Sequence, residues 1–110
     1  MIHVIAEIEV HPGKREEFLQ QFHQLVPKVR QEEGCLEYGP AVDLATTLSN
    51  QPPVRENVIT VIEKWESLEA LERHLLAPHM IQYRSQVKDL VAHTQIRVLE
   101  PAAPWAGGEA

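Results

Sequence analysis

The stretch EKWESLEALERHLLAPHMIQYR, residues 63–84, decides how this chain folds. Ser67 is a good helix N-cap because its hydroxyl can accept a hydrogen bond from an unpaired N–H of the first turn. A helix is predicted from there to Ala77, since a residue that precedes proline is disfavoured in helical geometry. Pro78 then opens a second helix, a position where its missing N–H costs nothing. We expect this strand-helix-helix unit to carry the chemistry, because it holds two histidines, a tryptophan, a tyrosine and two arginines.

The N-terminal third of the chain predicts a strand followed by a helix. Apolar residues fall at every second position across residues 2–10, which indicates a strand that His11-Pro12-Gly13 ends. From residue 14 to about residue 33 they recur at helical spacing, which predicts a helix. Pro27 is expected to kink or briefly break this helix because proline removes a backbone hydrogen bond. Gly34 is a natural stop for it.

Three further strands are predicted. One runs from Cys35 to about Leu44, where Gly39-Pro40 indicates a bulge or an edge position. After a polar, proline-bearing loop, Val58 to Trp65 is apolar on both faces for four residues, which is typical of a central strand. Thr94 to Leu99 is the last strand. The inward side chains expected in the first of the three are Leu36, Tyr38, Val42 and Leu44.

The predicted element order is β-α-β-β-α-α-β, a split pattern that folds as an antiparallel four-stranded sheet with helices on one face. This is an α+β ferredoxin-like sandwich in residues 1–100, followed by a tail in residues 101–110 that is expected to fray, with Trp105 as a candidate to dock on a neighbour. The helix-free face would carry Ile5 and part of the 58–62 run. Because a monomer should not leave a wide apolar face in water, we expect a homodimer.

Length and charge narrow the classes of protein that this chain can belong to. A chain of 110 residues has room for one domain with a real core. The net charge of −6 argues against a nucleic-acid-binding surface, which needs clustered Lys and Arg. The N-terminus lacks a secretory pattern and no window approaches the roughly 20 apolar residues of a spanning helix, so a cytoplasmic protein without membrane contact is predicted. For the single cysteine, Cys35, a buried structural role is favoured over a catalytic thiol.

Three motifs carry a resemblance to a known family: HPGK at residues 11–14, EGCLEY at residues 33–38, and EKWES at residues 63–67 followed by HLxxPH at residues 74–79. From Met1 to about Glu100 the chain resembles the antibiotic biosynthesis monooxygenases, small dimeric α+β barrel proteins that include bacterial quinol monooxygenases. The resemblance implies a small aromatic substrate in a cavity between sheet and helices, and in some members its oxidation by O₂ without metal or flavin. Others with the same motifs have no established activity, and the fold does not settle the function.

The family is also similar to haem-degrading monooxygenases of the same fold, which use an Asn, a Trp and a His around the porphyrin. The first strand of this chain contains no Asn. His74 stands where that Trp is expected, and Arg84 stands where the iron-ligating His is expected. These departures argue against haem degradation.

Cofactor-free oxygenation must overcome the slow reaction of triplet O₂ with closed-shell organic molecules. A phenolate can donate a single electron, so the protein needs a base for the dihydroxyarene and donors for the phenolate or the reduced oxygen. Histidine suits the base role. His74 borders the predicted helix stripe of Leu68, Leu71 and Leu75, where a half-solvated surface histidine is the alternative. His79 lies in the next helix's first turn, where the macrodipole favours its neutral form and a plain helix-start role is the alternative.

Trp65 is the third catalytic candidate, because it belongs to the most specific motif and shares one strand face with Glu63. A plain core residue is the alternative role for this tryptophan. The candidates for binding the substrate are Glu63, Tyr38, Tyr83 and Arg84. The alternative role is a core hydroxyl for Tyr38 and a surface cation for Arg84. No HExxH, CxxC or carboxylate cluster indicates a metal site, and no GxGxxG or GxxxxGK[ST] loop indicates a nucleotide. No metal and no cofactor are therefore predicted.

These observations predict a cofactor-independent monooxygenase that oxidises a quinol or a related polyphenolic small molecule with O₂. Its partners would be a small aromatic substrate, O₂ and a second copy of the chain. The alternative is a non-catalytic or regulatory small-molecule-binding protein that uses the same cavity.

Overall fold

The computed structural model describes residues 1–102. It confirms the predicted order β-α-β-β-α-α-β and the α+β ferredoxin-like class. The predicted end of the domain at residue 100 stays a prediction, and Trp105 lies outside the described residues. The elements are β1 (Ile2–Val10), α1 (Arg15–Arg30), β2 (Cys35–Ala41), β3 (Val58–Trp65), α2 (Leu68–Leu75), α3 (Pro78–Val87) and β4 (Val91–Leu99).

The four strands form one antiparallel sheet in the order β2-β3-β1-β4. The period-two pattern of β1 buries Val4, Ala6, Ile8 and Val10 on the face that the helices cover. In the register of β1 with β3, Ala6 pairs with Val61 and Ile8 pairs with Ile59. The same alternation continues along β3, so the helix-covered face also receives Glu63 and Trp65. The buried residues of β3 are Ile59, Val61, Glu63 and Trp65.

Helices α1 and α3 cover the sheet through an aromatic cluster. The rings of Phe18 and Phe22 stack with their centroids 5.8 Å apart. Tyr83 of α3 meets Phe22 edge-on at 5.7 Å, and Phe22 stacks on Tyr38 of β2 at 5.6 Å. These four rings join two helices to the edge strand, and such pairs contribute beyond the apolar area they bury.

The helix starts in the opening stretch follow their local signals. The hydroxyl of Ser67 accepts a hydrogen bond from the backbone N–H of Ala70 at 3.2 Å, so the predicted N-cap is confirmed. Pro78 is the first residue of α3, as predicted. No helix within residues 1–102 is long and apolar enough to cross a membrane.

The predicted end of the first helix is wrong, and of the two effects expected from Pro27 the break does not occur whereas the kink stays a prediction. Helix α1 runs without a break through Pro27, because Leu25, Val26 and Val29 are all buried and hold that turn against the sheet. It ends at Arg30, earlier than predicted, and Gly34 follows in the turn before β2.

Strand β2 ends at Ala41, so the segment up to Leu44 is not strand. Of the four side chains predicted to point inward, only Tyr38 is buried, whereas Leu44 is 73% exposed. The reason is that β2 is an edge strand, as Gly39-Pro40 had indicated, and it ends before Val42 and Leu44. A register shift occurs in β2, between Cys35 and Glu37. The exposed side chains among the predicted four are Leu36, Val42 and Leu44.

In the second half, the stripe of α2 is rotated from the predicted one. Leu68 is half exposed, whereas His74 is 1% exposed. The buried residues of this helix are Ala70, Leu71 and His74. His74 therefore lies at the centre of the inward face and not at its border.

Helix α2 approaches the turn before β2 so closely that this turn needs glycine. Gly34 has a φ of +88°, a region that L side chains rarely adopt. A Cβ added there would lie 2.6 Å from the Cβ of Ala70 in α2. The carbonyl of Gly34 accepts a hydrogen bond from the N–H of Glu66 at 2.9 Å, which ties the turn to the start of α2.

We expect Gly34→Ala to lower the free energy of unfolding by roughly 2–5 kcal/mol, because it adds a clash with α2 to an unfavourable backbone conformation. Gly13→Ala is the matched control, since Gly13 has a φ of +83° with no atom within 4 Å of the added Cβ. It should cost only the backbone term of roughly 1–2 kcal/mol. Urea unfolding of both variants measures the difference, and equal losses would mean that the approach to Ala70 is relaxed without cost.

Candidate functional site

A cavity of about 460 Å³ lies between the helix-covered face of the sheet and helices α2 and α3. Most of its wall is apolar, which is typical of a site for a small organic molecule. Five of the seven predicted site residues line it, whereas Trp65 and His79 do not. The polar side chains on the wall include Tyr38, Glu63, His74, Tyr83 and Arg84.

His74 is the buried histidine of this wall. Its Nδ1 atom lies 2.9 Å from Oε2 of Glu32, in the turn after α1. The imidazole packs against the indole of Trp65 with centroids 4.6 Å apart and meets the ring of Tyr38 edge-on at 5.4 Å. Burial lowers the pKa of His74, and Glu32 opposes that shift only in part. The imidazole is therefore neutral near neutral pH, the form in which it can take up a proton.

Glu63 brings a carboxyl group into the same cavity. It is only 7% exposed, and its Oε1 accepts a hydrogen bond from Nε1 of Trp65 at 2.9 Å. Burial raises the pKa of Glu63 to about 7, although the indole hydrogen bond acts in the opposite direction. A group with this pKa is present in both protonation states near neutral pH. Trp65 itself is fully buried behind the cavity wall, so the structure places it as the partner of Glu63.

The two tyrosines of the wall remain protonated. Burial raises the pKa of Tyr38, and the nearby Glu63 adds to the shift. Burial also raises the pKa of Tyr83, with Arg84 acting against it. A protonated phenol is a hydrogen-bond donor, so both side chains can donate to an oxygen atom in the cavity.

Arg84 lies at the exposed edge of the cavity. Its guanidinium donates a hydrogen bond to the backbone carbonyl of Leu75 at 2.8 Å. This contact satisfies one of the unpaired carbonyls at the end of α2. The structure thus brings Arg84 to the site and also gives it a helix-capping contact that the sequence did not predict.

His79 is not on the cavity wall, but it shares a partner with His74. Its Nε2 atom lies 2.6 Å from the same Oε2 atom of Glu32. Sequence analysis missed Glu32 because it is 42 residues from His74 and 47 from His79, so no local spacing connects them. The fold alone brings the turn after α1 to α2 and α3.

A metal site and a reactive cysteine are the two other kinds of site that the sequence analysis addresses. Within residues 1–102, no group of three or more His, Cys, Asp or Glu side chains is arranged to hold a metal ion. Cys35 is partly buried, and burial raises the pKa of its thiol. A raised pKa leaves less of the nucleophilic thiolate, which favours the structural role for this cysteine.

Known proteins are similar to this chain over nearly its whole length. The Escherichia coli protein named probable quinol monooxygenase YgiN is 45% identical over 103 residues, covering 92% of this chain and 98% of that protein. The crystal structure of PA3566 from Pseudomonas aeruginosa has a TM-score of 0.76 at 27% identity, covering 93% and 94% of the two chains. A conserved protein from Methanosarcina mazei shares the fold with a TM-score of 0.77 at 24% identity, covering 92% of each chain.

The match to a family covers most of the described residues. Residues 1–86 match the family described as antibiotic biosynthesis monooxygenase. That range includes β1 to α3 almost entirely and every candidate site residue identified from the sequence. This protein is therefore a member of the antibiotic biosynthesis monooxygenase family.

Proposed function

We propose that this protein is a cofactor-independent monooxygenase that oxidises a quinol or a related polyphenol with O₂. The observation that carries the proposal is a buried histidine on the wall of an apolar cavity large enough for a small aromatic molecule. The 45% identity to a protein named probable quinol monooxygenase supports the choice of substrate class.

The reaction starts at His74. One ring nitrogen, Nδ1, is hydrogen-bonded to Glu32, which leaves Nε2 to accept the proton of a substrate hydroxyl. The resulting phenolate donates an electron to O₂, and a carbon–oxygen bond then forms. The O–O bond breaks, one oxygen atom enters the ring as a hydroxyl group and the other leaves as water, so a quinol and O₂ give a hydroxyquinone and water. The substrate supplies all four electrons that O₂ takes up. His74 can return its proton to the reduced oxygen, so the cycle needs no external reductant.

Glu63, Tyr38 and Tyr83 would hold the oxygen atoms of the substrate. A phenol or a protonated carboxyl can donate a hydrogen bond to a phenolate, and both kinds of donor line the cavity. Trp65 would act indirectly, because its indole N–H donates a hydrogen bond that holds the carboxyl of Glu63.

Replacing His74 tests the reaction directly. His74→Ala should lower kcat for oxygen uptake with a dihydroxyarene by roughly 10²- to 10⁴-fold, the range for a lost general base. Substrate binding should change much less because the apolar walls remain. His23→Ala, at an exposed position of α1, is the control and should keep full activity. The assay uses protein without added metal or flavin, and a wild type that binds dihydroxyarenes without oxygen uptake would favour the binding-protein alternative.

Glu63 gives a test that does not depend on a substrate. Because its pKa is raised in the folded state, the carboxyl favours folding at low pH, and that contribution is lost as the pH rises from about 4.5 to about 7. The loss is of the order of 3 kcal/mol. Glu63→Gln should therefore gain stability relative to wild type between pH 5 and pH 8 in urea unfolding. Glu66→Gln, at an exposed position, should show no such gain, and a flat difference for Glu63→Gln would remove the buried ionisable carboxyl from the mechanism.

A homodimer through the helix-free sheet face is part of the proposal. On this face Ile5 of β1 pairs with Ile62 of β3, and Ile62 is 47% exposed. Ile59 and Val61 are buried on the opposite face, so they do not belong to this surface. An exposed Ile62 beside a partly exposed Ile5 at the sheet centre is a reason for a second copy to cover this surface.

Replacing Ile62 tests the dimer. Ile62→Asp should convert the protein to monomers in sedimentation at micromolar concentration, because an unpaired charge in the interface costs several kcal/mol. Ile81→Asp, on the exposed side of α3, is the matched control and should leave the association unchanged. A wild type that sediments as a monomer, or a dimeric Ile62→Asp variant, would contradict this interface.

A further inference from the structure

One carboxyl oxygen joins two histidines beside the cavity. Oε2 of Glu32 lies 2.9 Å from Nδ1 of His74 and 2.6 Å from Nε2 of His79. The three residues come from three segments: the turn after α1, helix α2, and the first turn of α3. The side chains are 1%, 13% and 24% exposed in the order His74, Glu32, His79. This His-Glu-His cluster therefore extends from the cavity wall towards the surface.

We propose that Glu32 is a positioning residue for His74, and that His79 holds the carboxyl of Glu32 in place for that role. The inference rests on the proposed function, in which His74 is the base. It adds a residue that no sequence motif indicated and gives His79 a role away from the substrate.

The contact with Glu32 determines which nitrogen of His74 carries its proton. An ionised carboxyl group can only accept hydrogen bonds. Nδ1 of His74 must then be the donor to Glu32, and Nε2 is left with the lone pair. His74 lines the cavity, so the nitrogen that can accept a substrate proton belongs to a ring already oriented towards it.

Glu32 also faces the positive charge that forms when His74 is protonated. An imidazolium in this buried position has lost its water, and burial is the main cause that lowers the pKa of His74. His79 and Arg84 act in the same direction, and Glu32 is the group that opposes them. The carboxyl of Glu32 thus stabilises the charged form of the base at the moment when the substrate loses its proton.

Hydrogen bonds hold Glu32 at its backbone and at its side chain. Its backbone N–H donates to the carbonyl of Val29 at 2.9 Å, and its carbonyl accepts from the N–H of Cys35 at 3.2 Å. Its side chain is fixed at the far end by His79. A carboxyl group held at both ends loses little further freedom in the reaction, which is what a positioning residue requires.

A purely structural role makes a different prediction. A cluster that only joins three segments would change the stability of the protein when it is cut. It would leave kcat of the folded fraction and the tautomer of His74 as they are. The kinetic and spectroscopic readouts therefore separate the two roles.

Glu32→Gln keeps the shape of the side chain and removes its charge, which makes it the main test. At saturating dihydroxyarene, kcat for oxygen uptake should fall roughly 10- to 100-fold, with KM changed by no more than about twofold. His79→Gln should lower kcat in the same way but by a smaller factor. Glu33→Gln is the matched control and should keep full activity, since Glu33 is next to Glu32 in the chain and its side chain is 91% exposed.

Nitrogen NMR of histidine-labelled protein reads the hydrogen bond without any substrate. In the wild type, His74 should carry its proton on Nδ1, and Glu32→Gln should shift His74 towards the other tautomer. If Glu32→Gln does not fold, His79→Gln and the wild-type spectrum still carry the test. A proton on Nε2 of His74 in the wild type, or an unchanged kcat in a folded Glu32→Gln variant, would overturn the positioning role.

The same experiments separate this inference from the proposed function. Loss of oxygen uptake in His74→Ala together with full kcat in Glu32→Gln would leave the reaction standing and overturn only the role of Glu32. A wild type without any oxygen uptake would overturn the reaction and the positioning role of Glu32 together.

Discussion

The structure depends on placing polar groups inside the face of the sheet that the helices cover. Strict alternation along β3 puts Glu63 on that face between Val61 and Trp65. A carboxyl group in this position is unfavourable unless a donor meets it, and the indole of Trp65 supplies one hydrogen bond. Burial still dominates, so the pKa of Glu63 stays raised. The site is therefore formed at a cost in stability, as is common where a fold has a function to carry.

Local chemistry explains how much of the fold the sequence could predict. The hydroxyl of Ser67 and the ring of Pro78 fix the two helix starts within a few residues, so these boundaries follow from the chain itself. The alternation of apolar residues in β1 and the helical spacing of Phe18 and Phe22 likewise predict core residues that the structure buries. Where burial depends on what covers an element, the pattern fails: Leu44 follows an edge strand and is exposed.

The candidate site was predictable in its residue types but not in its geometry. Tyr38, Glu63 and His74 were identified from motif and strand phase, and all three line the cavity. The depth of His74 was missed because a short helix can rotate about its axis, and Leu68 is apolar enough to suggest the wrong stripe. Glu32 had no local signal at all, since its contacts to both histidines exist only after three segments have met.

Two carboxyl groups have opposite surroundings: Glu63 lies on the cavity wall, and Glu32 contacts His74. Glu63 lies among apolar side chains with one indole donor, so its protonated form is favoured and it can donate a hydrogen bond. Glu32 meets two ring nitrogens instead, which suits a group that accepts hydrogen bonds and stabilises a positive charge. His74 lies between these environments, bonded to Glu32 and on the same wall as Glu63. In the proposed reaction Glu32 stabilises the proton taken up at His74, and the hydrogen-bond donors of the cavity wall serve the negative oxygen that the proton leaves behind.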